Sequence, residues 1–255
     1  MSESSSPLRT RHPIVLVHGA MGFVQLAPRV EYFRGVRRML EREGNRVFAW
    51  KTPNLATVES RAEALLGHLR RHESEGPFHL IAHSMGGLDA RCLISSLGGA
   101  DLVASLTTIA TPHHGTEAAD WRNRVLARLG LLRWIGRRRG LFSQMETFTH
   151  GWAARFDNRN PEVPRVRYRC WAGEAPRWGM TPLLQWLCLV MRCEGPHDGV
   201  VSVASATLRP ELLAGVVPAD HFAQLGWKLG LNRLDRFDHL ALYRDIVRDL
   251  VETGL

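Results

Sequence analysis

The stretch FHLIAHSMGG, residues 78–87, joins an apolar run to a serine and two glycines. Its first half, FHLIA, is typical of a strand buried on both faces of a parallel sheet, and a helical pattern resumes at Leu88. Where such a strand turns sharply into a helix, the residues two positions to either side of the apex must be small, and here they are Ala82 and Gly86. The pattern predicts a tight turn with Ser84 at its apex as a candidate nucleophile. The alternative is a serine in an ordinary strand-to-helix turn.

A second glycine-containing segment follows the first predicted strand. Residues 13–17 (PIVLV) form an apolar run, and HGAMG (18–22) comes directly after it. Acyl-transfer chemistry needs two preorganised donors for the oxyanion of its transition state. The backbone N–H of Met85, at a helix N-terminus, is one candidate, and that of Ala20 is the other. Glycines mark any tight turn, so this segment carries weight only together with residues 78–87.

Predicted strands and helices alternate along most of the chain. The strand-like segments are 13–17, 46–50, 78–82, 102–110, 166–171 and 212–217, and the helical ones are 28–43, a segment from Ser60 with Glu63 as a possible capping-box partner, 88–97 and 238–252. This rhythm predicts βαβ units around a mostly parallel sheet flanked by helices, an α/β fold. We predict one domain over residues 1–255. Residues 117–160 break the rhythm with short helices and no strand, which is typical of a lid insertion.

Four segments carry a family resemblance, PIVLVHGAMG (13–22), LIAHSMGGLDAR (80–91), TIATPHHGT (108–116) and HDGVVSVASA (197–206). Together, and in this order, they resemble the bacterial triacylglycerol lipase and esterase group of the α/β-hydrolase superfamily. The resemblance spans most of the chain except the predicted lid. It implies the α/β-hydrolase fold and a serine carboxylic-ester hydrolase that works through an acyl-enzyme. It also implies an oxyanion hole formed by Ala20 and Met85, and a structural role for the TPHHG loop.

The acid and the base of a triad follow the serine in this fold, in that order. Asp198 stands in an Asp-Gly turn that resembles the position of the family's acid, although Asp-Gly is also a common plain turn. His221 follows the predicted last strand in a sequence that resembles the surroundings of the family's histidine. Its rival, His239, begins the C-terminal helix, where a capping Asp238 and a solvated imidazole explain it. We therefore predict the triad Ser84–Asp198–His221.

The predicted lid carries the main indication of a substrate. Between residues 117 and 140, seven arginines are interleaved with tryptophan and aliphatic residues. A basic amphipathic segment over 121–139 suits an anionic membrane surface, and a helix that covers the site with a solvated arginine face is an equal alternative. The apolar content favours an acyl chain, hence a lipid or small-molecule ester. Phospholipase or acyltransferase activity on the same triad is the alternative function, and a non-catalytic binding protein of this fold is a third hypothesis.

The composition excludes several other classes. The 255 residues carry a formal net charge of +8, almost all of the positive charge being arginine, with no nucleic-acid motif beside it, so we predict no nucleic-acid partner. The four cysteines form no disulfide framework or zinc pattern. Ala223 stands where some lipases of the family have a calcium-binding carboxylate, so we predict no metal and no cofactor. A polar N-terminus and the lack of a long apolar run predict a cytoplasmic protein or a mature form, with possible peripheral membrane association.

Overall fold

Six parallel strands form the centre of the computed structural model, which describes residues 8–20, 31–53, 56–128, 147–191, 195–227 and 237–254. The strands are β1 (Ile14–Val17), β2 (Val47–Phe48), β3 (Phe78–His83), β4 (Val103–Ile109), β5 (Arg167–Gly173) and β6 (Leu213–Val217). Their order in the sheet is β2-β1-β3-β4-β5-β6, and every neighbouring pair is parallel. Each overlaps a predicted strand, so the prediction of an α/β fold around a parallel sheet is confirmed.

Helices cover both faces of this sheet. They are α1 (Val36–Arg42), α2 (Val58–Arg71), α3 (Met85–Ser95), α4 (Glu117–Arg128), α5 (His150–Arg159), α6 (Pro182–Met191), α7 (Val203–Ala206) and α8 (His239–Glu252). Val15 and Val17 belong to the core under α2 and α3, whereas Ile14 and Leu16 belong to the core under α1 and α8. Because successive strand residues point to opposite faces, β1 is apolar at every position. Among the described helices, none is long and apolar enough to cross a bilayer.

The helix predicted over 28–43 starts later than its sequence pattern indicates. In the described part of this segment, residues 32–35 form bends and turns, and α1 begins at Val36 after Gly35 with a left-handed φ of 70°. Phe33 fits the helical spacing, but its ring packs edge-on against Tyr243 of α8. A contact with a distant helix therefore determines the backbone here, and local periodicity does not.

The start of α2 also differs from the prediction. The helix begins at Val58 behind Thr57, whose side chain accepts the backbone N–H of Ser60 at 3.3 Å. Ser60 lies within the first turn, so the predicted capping box of Ser60 and Glu63 is wrong. The buried side of this helix includes Ala62, Leu65, Leu66 and Leu69, which lie at helical spacing.

The predicted lid lies between β4 and β5 and falls only partly within the described residues. Its two ends are the helices α4 and α5, and the described part contains no strand between β4 and β5. The Arg91 guanidinium of α3 holds α5 against the sheet layer through Asp157 at 2.6 Å. Residues 129–146, with much of the arginine-rich segment, lie outside the described residues. The lid and the single-domain division therefore stay predictions.

The strand order determines where a ligand site can form. The chain passes from β1 outward to β2 and then back across β1 to β3, so its connections leave β1 in opposite directions. In open parallel sheets, the crevice at such a switch point, beyond the carboxyl ends of the strands, is the usual ligand position. Val17 pairs with Ala82 at this edge. The loop after β1 and the turn at Ser84 therefore meet there.

Candidate active site

Ser84 occupies the turn between β3 and α3. Its backbone has φ 55° and ψ −130°, a conformation that L-residues rarely adopt, and the residue is partly exposed. The Ser84 N–H donates to the Ile109 carbonyl at 2.9 Å, and the Ser84 carbonyl accepts the Thr111 hydroxyl at 2.8 Å. Backbone strain of this kind persists only where neighbours hold it, and it clusters at active sites.

The turn at Ser84 has no room for side chains at the neighbouring glycines. A Cβ on Gly86 would lie 2.6 Å from the Val17 carbonyl oxygen, and a Cβ on Gly19 would lie 2.9 Å from the Ser84 Cβ. The loop after β1 and the first turn of α3 thus pass each other with no space for side chains. The prediction of a tight strand-to-helix turn at Ser84 is confirmed. Met85 begins α3, so its N–H is among the donors that a helix N-terminus leaves without an intrahelical acceptor.

Asp198 and His221 meet beyond the carboxyl ends of the last strands. Nδ1 of His221 lies 2.7 Å from Oδ2 of Asp198, and the His221 backbone N–H donates to the Asp198 carbonyl at 2.9 Å. Both residues are buried. A carboxylate bound to Nδ1–H leaves Nε2 as the unprotonated ring nitrogen, which is the form that a general base needs.

Three further donors hold the Asp198 carboxylate. Oδ1 accepts the N–H groups of Val200 and Val201 at 2.9 and 2.8 Å, and Oδ2 accepts the Gln224 side chain at 3.1 Å. These bonds occupy the acceptor sites of the carboxylate and fix its orientation toward His221. Gln224 is fully buried and was missed by the sequence analysis, because no local motif marks a glutamine in the 3₁₀ turn Ala223–Leu225.

Asp220 ties the loop that carries His221 to the start of α6. Its Oδ1 accepts the N–H groups of Phe222 and Ala223, and its Oδ2 accepts both the N–H and the hydroxyl of Thr181. The loop is thereby closed around the histidine. Ala223 is fully buried, and the described residues contain no group of three His, Cys, Asp or Glu side chains that could hold a metal ion.

The loop after β1 is held by its own histidine. Burial lowers the pKa of His18 to about 4, so the ring is neutral near pH 7. Its Nε2 accepts the Thr52 N–H at 3.0 Å, which leaves the ring proton on Nδ1, 2.8 Å from the Gly19 carbonyl. A trans peptide places its carbonyl and the following N–H on opposite sides. The N–H of Ala20 therefore points away from His18.

A buried ion pair supports the same loop. The Arg61 guanidinium donates to the carbonyls of His18 and Gly19 at 2.7 and 3.4 Å and lies 2.7 Å from Asp89 of α3. Both charged side chains are fully buried. Burial raises the pKa of Asp89 to about 7, and the positive charge of Arg61 opposes that rise. The pair connects α2, α3 and the loop after β1.

A second imidazole packs against His221. The ring of His83, the residue before Ser84, lies with its centroid 4.5 Å from that of His221, and its Nδ1 is 2.8 Å from the Tyr32 hydroxyl. Burial lowers the pKa of His83 well below its usual range, and the His221 charge lowers it further. Of the two rings, whose planes are tilted by 52°, His221 is the one with a carboxylate partner.

The other candidate histidines have different partners. Nε2 of His239 lies 2.8 Å from the Arg34 carbonyl, so a protein contact is present where the sequence indicated only solvent, while Asp238 caps α8 as predicted. His113 is fully buried beside Arg91 and Thr108, in agreement with a structural role for its loop. In the described structure the carboxylate of Asp198 is paired with His221 and not with His239.

Several known proteins with similar sequences are named triacylglycerol lipases. The chain is 31% identical over 250 residues to triacylglycerol lipase 2 of Saccharomyces cerevisiae, covering 88% of this chain and 74% of the yeast protein. It is 29% identical over 287 residues to the triacylglycerol lipase of Vibrio cholerae, covering 97% of this chain and 90% of that protein. No family model matches the chain.

Solved structures with the same architecture include a carboxyl esterase and a lipase. A metagenomic carboxyl esterase superposes with a TM-score of 0.77 at 21% identity, covering 98% of this chain and 77% of that one. The mature lipase of Bacillus licheniformis superposes with a TM-score of 0.69 at 18% identity, covering 97% and 95%. At these identities the superpositions establish the fold.

Proposed function

This chain belongs to the triacylglycerol lipase family of α/β-hydrolases, and we propose that Ser84, Asp198 and His221 are its catalytic triad. It is a carboxylic ester hydrolase of lipase or esterase type, and lipid esters are its substrate class. One observation carries the proposed triad. The 2.7 Å contact between His221 Nδ1 and Asp198 Oδ2 lies at the edge of the sheet where Ser84 stands in a strained turn.

In the proposed reaction, Nε2 of His221 accepts the Ser84 hydroxyl proton while the serine oxygen bonds to the ester carbonyl carbon. The carbonyl oxygen becomes an oxyanion that accepts the N–H groups of Ala20 and Met85. Collapse of this intermediate breaks the bond to the alkoxy group, which leaves with the proton from His221. Water, deprotonated by the same histidine, then attacks the acyl-enzyme. The bond between the acyl carbon and the Ser84 oxygen breaks, Ser84 takes the proton back from His221, and the carboxylic acid leaves. The carboxylate of Asp198 stabilises the imidazolium in both steps.

The loop after β1 supports Ala20 as the first donor. Its peptide carbonyl, that of Gly19, is bonded to His18 and Arg61, so the orientation of the following N–H is set before substrate arrives. An oxyanion donor needs this preorganisation because a peptide that rotates during the reaction stabilises the charge less. Met85 supplies the second donor from the N-terminus of α3, where the helix dipole favours negative charge.

The arginine-rich segment 121–139 is proposed to bind an anionic membrane surface. Its described part lies in α4, where Arg124 and Arg128 are exposed, and the rest lies outside the described residues. The lid over 117–160 belongs to the same proposal. The cytoplasmic location stays a prediction from the sequence.

Labelling with a fluorophosphonate probe tests the nucleophile, because this reagent forms a stable bond with an activated serine. We expect the wild-type protein to be labelled and to hydrolyse p-nitrophenyl esters, and Ser84→Ala to do neither. Ser60→Ala, an exposed serine in the first turn of α2, is the matched control and should be labelled like the wild type. Undiminished labelling of Ser84→Ala would contradict the proposal. Comparing p-nitrophenyl esters of increasing acyl length then separates a lipase from a short-chain esterase.

A further inference from the structure

Helix α6 has an unusual composition for a helix at a protein surface. Its sequence, PLLQWLCLVM, contains no charged residue. A helix that is apolar on all sides normally lies inside a protein or against a membrane. Here, however, one side is exposed: Leu183 is 55% exposed, Trp186 56% and Leu189 65%, and Trp178 in the preceding 3₁₀ turn is 80% exposed. We refer to these four side chains as the α6 apolar face.

The opposite side of α6 is attached to the loop of the proposed acid. Leu184 and Cys188 are buried, and a Cβ on Gly199 would lie 2.8 Å from the Leu184 Cβ. The Cys188 thiol donates to the Gly199 carbonyl at 3.5 Å, one residue beyond Asp198. The helix is therefore fixed through its inner side. Its apolar face is directed outward because the inner side is already packed.

The start of α6 is attached to the loop of the proposed base. Thr181, the residue before the helix, gives its N–H and its hydroxyl to Asp220 at 2.7 and 2.9 Å, and Asp220 precedes His221. Asp198 and His221 thus both lie next to loops that α6 contacts. A partner bound to the α6 apolar face would therefore lie close to the proposed catalytic residues Asp198 and His221.

The helix that packs against α6 carries exposed positive charge. Helix α4 packs against α6 and exposes Arg124 and Arg128, while α6 itself carries no acidic residue. The whole chain has a formal net charge of +8. Tryptophan rings and arginine side chains are the groups that settle at the boundary between acyl chains and anionic headgroups. The charge therefore complements an anionic lipid surface, and the aliphatic residues complement its acyl chains.

We infer that the α6 apolar face is the surface through which this protein docks on an anionic lipid bilayer. The inference rests on the proposed function, because it positions the site of a lipid-ester hydrolase against the phase that contains its substrate. It goes beyond that function in naming a docking surface formed by Trp178, Leu183, Trp186 and Leu189, which are separate from the arginine-rich segment. The arginines of α4 attract the anionic headgroups, and the α6 apolar face inserts between these headgroups.

Sedimentation with lipid vesicles tests the docking surface without turnover. Ser84→Ala protein is mixed with phosphatidylcholine vesicles with or without phosphatidylglycerol. We expect it to sediment with the anionic vesicles and less with the neutral ones, and added salt should weaken the binding. Adding Trp178→Ser and Trp186→Ser should lower the affinity for anionic vesicles by about tenfold or more, since two indoles no longer enter the bilayer. Val216→Ser, which changes an exposed valine of β6, is the matched control and should bind like the parent.

Several results would overturn the inference. These are the absence of vesicle binding, equal binding by the tryptophan variant, and equal binding to neutral vesicles. A dimer in light scattering that the tryptophan substitutions dissociate would show that a second copy covers the face. Circular dichroism of each variant excludes misfolding as the cause of lost binding.

Hydrolysis of p-nitrophenyl butyrate by the wild type is measured in parallel. If that hydrolysis is present while vesicle binding is absent, the docking surface fails alone, and if hydrolysis is absent, the proposed function fails.

Discussion

The Nδ1 of His221 lies 2.7 Å from Oδ2 of Asp198, while Nε2 of His239 contacts the Arg34 carbonyl. The carboxylate can therefore set the tautomer of His221 but not that of His239. Replacing His221 with alanine is expected to lower kcat for p-nitrophenyl butyrate by about 10⁴-fold or more, as loss of the base of a triad does. His239→Ala serves as the matched control and should keep kcat within about threefold of the wild-type value, because a contact at the surface is lost. An inactive His239→Ala beside an active His221→Ala would reverse the assignment.

The position of Gly86 gives a second prediction. Because its Cβ would lie 2.6 Å from the Val17 carbonyl oxygen, Gly86→Ala must push the first turn of α3 away from β1. We expect the free energy of unfolding to fall by about 1–3 kcal/mol and kcat to fall by about tenfold or more, since Ser84 and Met85 lie in the same turn. Gly67→Ala is the matched control. Its Cβ would meet nothing closer than the Arg71 Nη1 at 3.6 Å, so this helix should gain up to about 1 kcal/mol. Urea unfolding and ester hydrolysis measure both effects, and equal effects of the two substitutions would contradict this explanation.

Local patterns were sufficient to predict the central part of the fold. A short apolar run predicts the strand β3, and two small residues predict the turn at Ser84. The turn can be predicted because the residues that must be small, Ala82 and Gly86, lie within two positions of Ser84. The parallel sheet follows from the spacing of apolar runs. The pairing of Asp198 with His221 lies across a gap of 23 positions, and it was predicted only from chain order and the resemblance to the lipase family.

Contacts between distant residues could not be predicted in the same way. The Tyr32 hydroxyl forms a hydrogen bond with His83, which lies 51 positions away in the sequence. Arg61 donates to the Gly19 carbonyl, which lies 42 positions away. Neither residue belongs to a motif, and an arginine in a helix is more often exposed than buried. The late start of α1 has the same origin. In the described part of its predicted first turns, residues 32–35 form bends and turns and Phe33 packs on α8, and periodicity along the chain contains no information about that contact.

Buried histidines make the stability sensitive to acid. Burial lowers the pKa of His79 to about 4, well below its ordinary value of 6.5. Between these two pH values the unfolded chain binds a proton at this histidine and the folded protein does not. Stability is therefore complete above about pH 6.5 and is lost as the pH falls toward about 4. His79→Leu removes this effect and should reduce the loss of unfolding free energy over that range by about 3 kcal/mol. Urea titrations at several pH values measure the slope. A slope that His79→Leu does not change would contradict the argument.

At the buried pair of Arg61 and Asp89, we expect substitutions to affect the free energy of unfolding and kcat differently. Arg61→Met leaves the Asp89 carboxylate buried without its partner, so we expect the free energy of unfolding to fall by about 3–5 kcal/mol. The double variant Arg61→Met/Asp89→Leu contains no buried charge at this position and should recover most of that stability. Activity should not recover with it, because the Gly19 carbonyl has lost the guanidinium that helps to orient the next N–H, and kcat should stay as much as about a hundredfold low with KM little changed. Urea unfolding and steady-state kinetics on both variants test this separation. If the double variant regains full kcat, the pair acts only through stability and the Gly19 peptide is oriented by His18 alone.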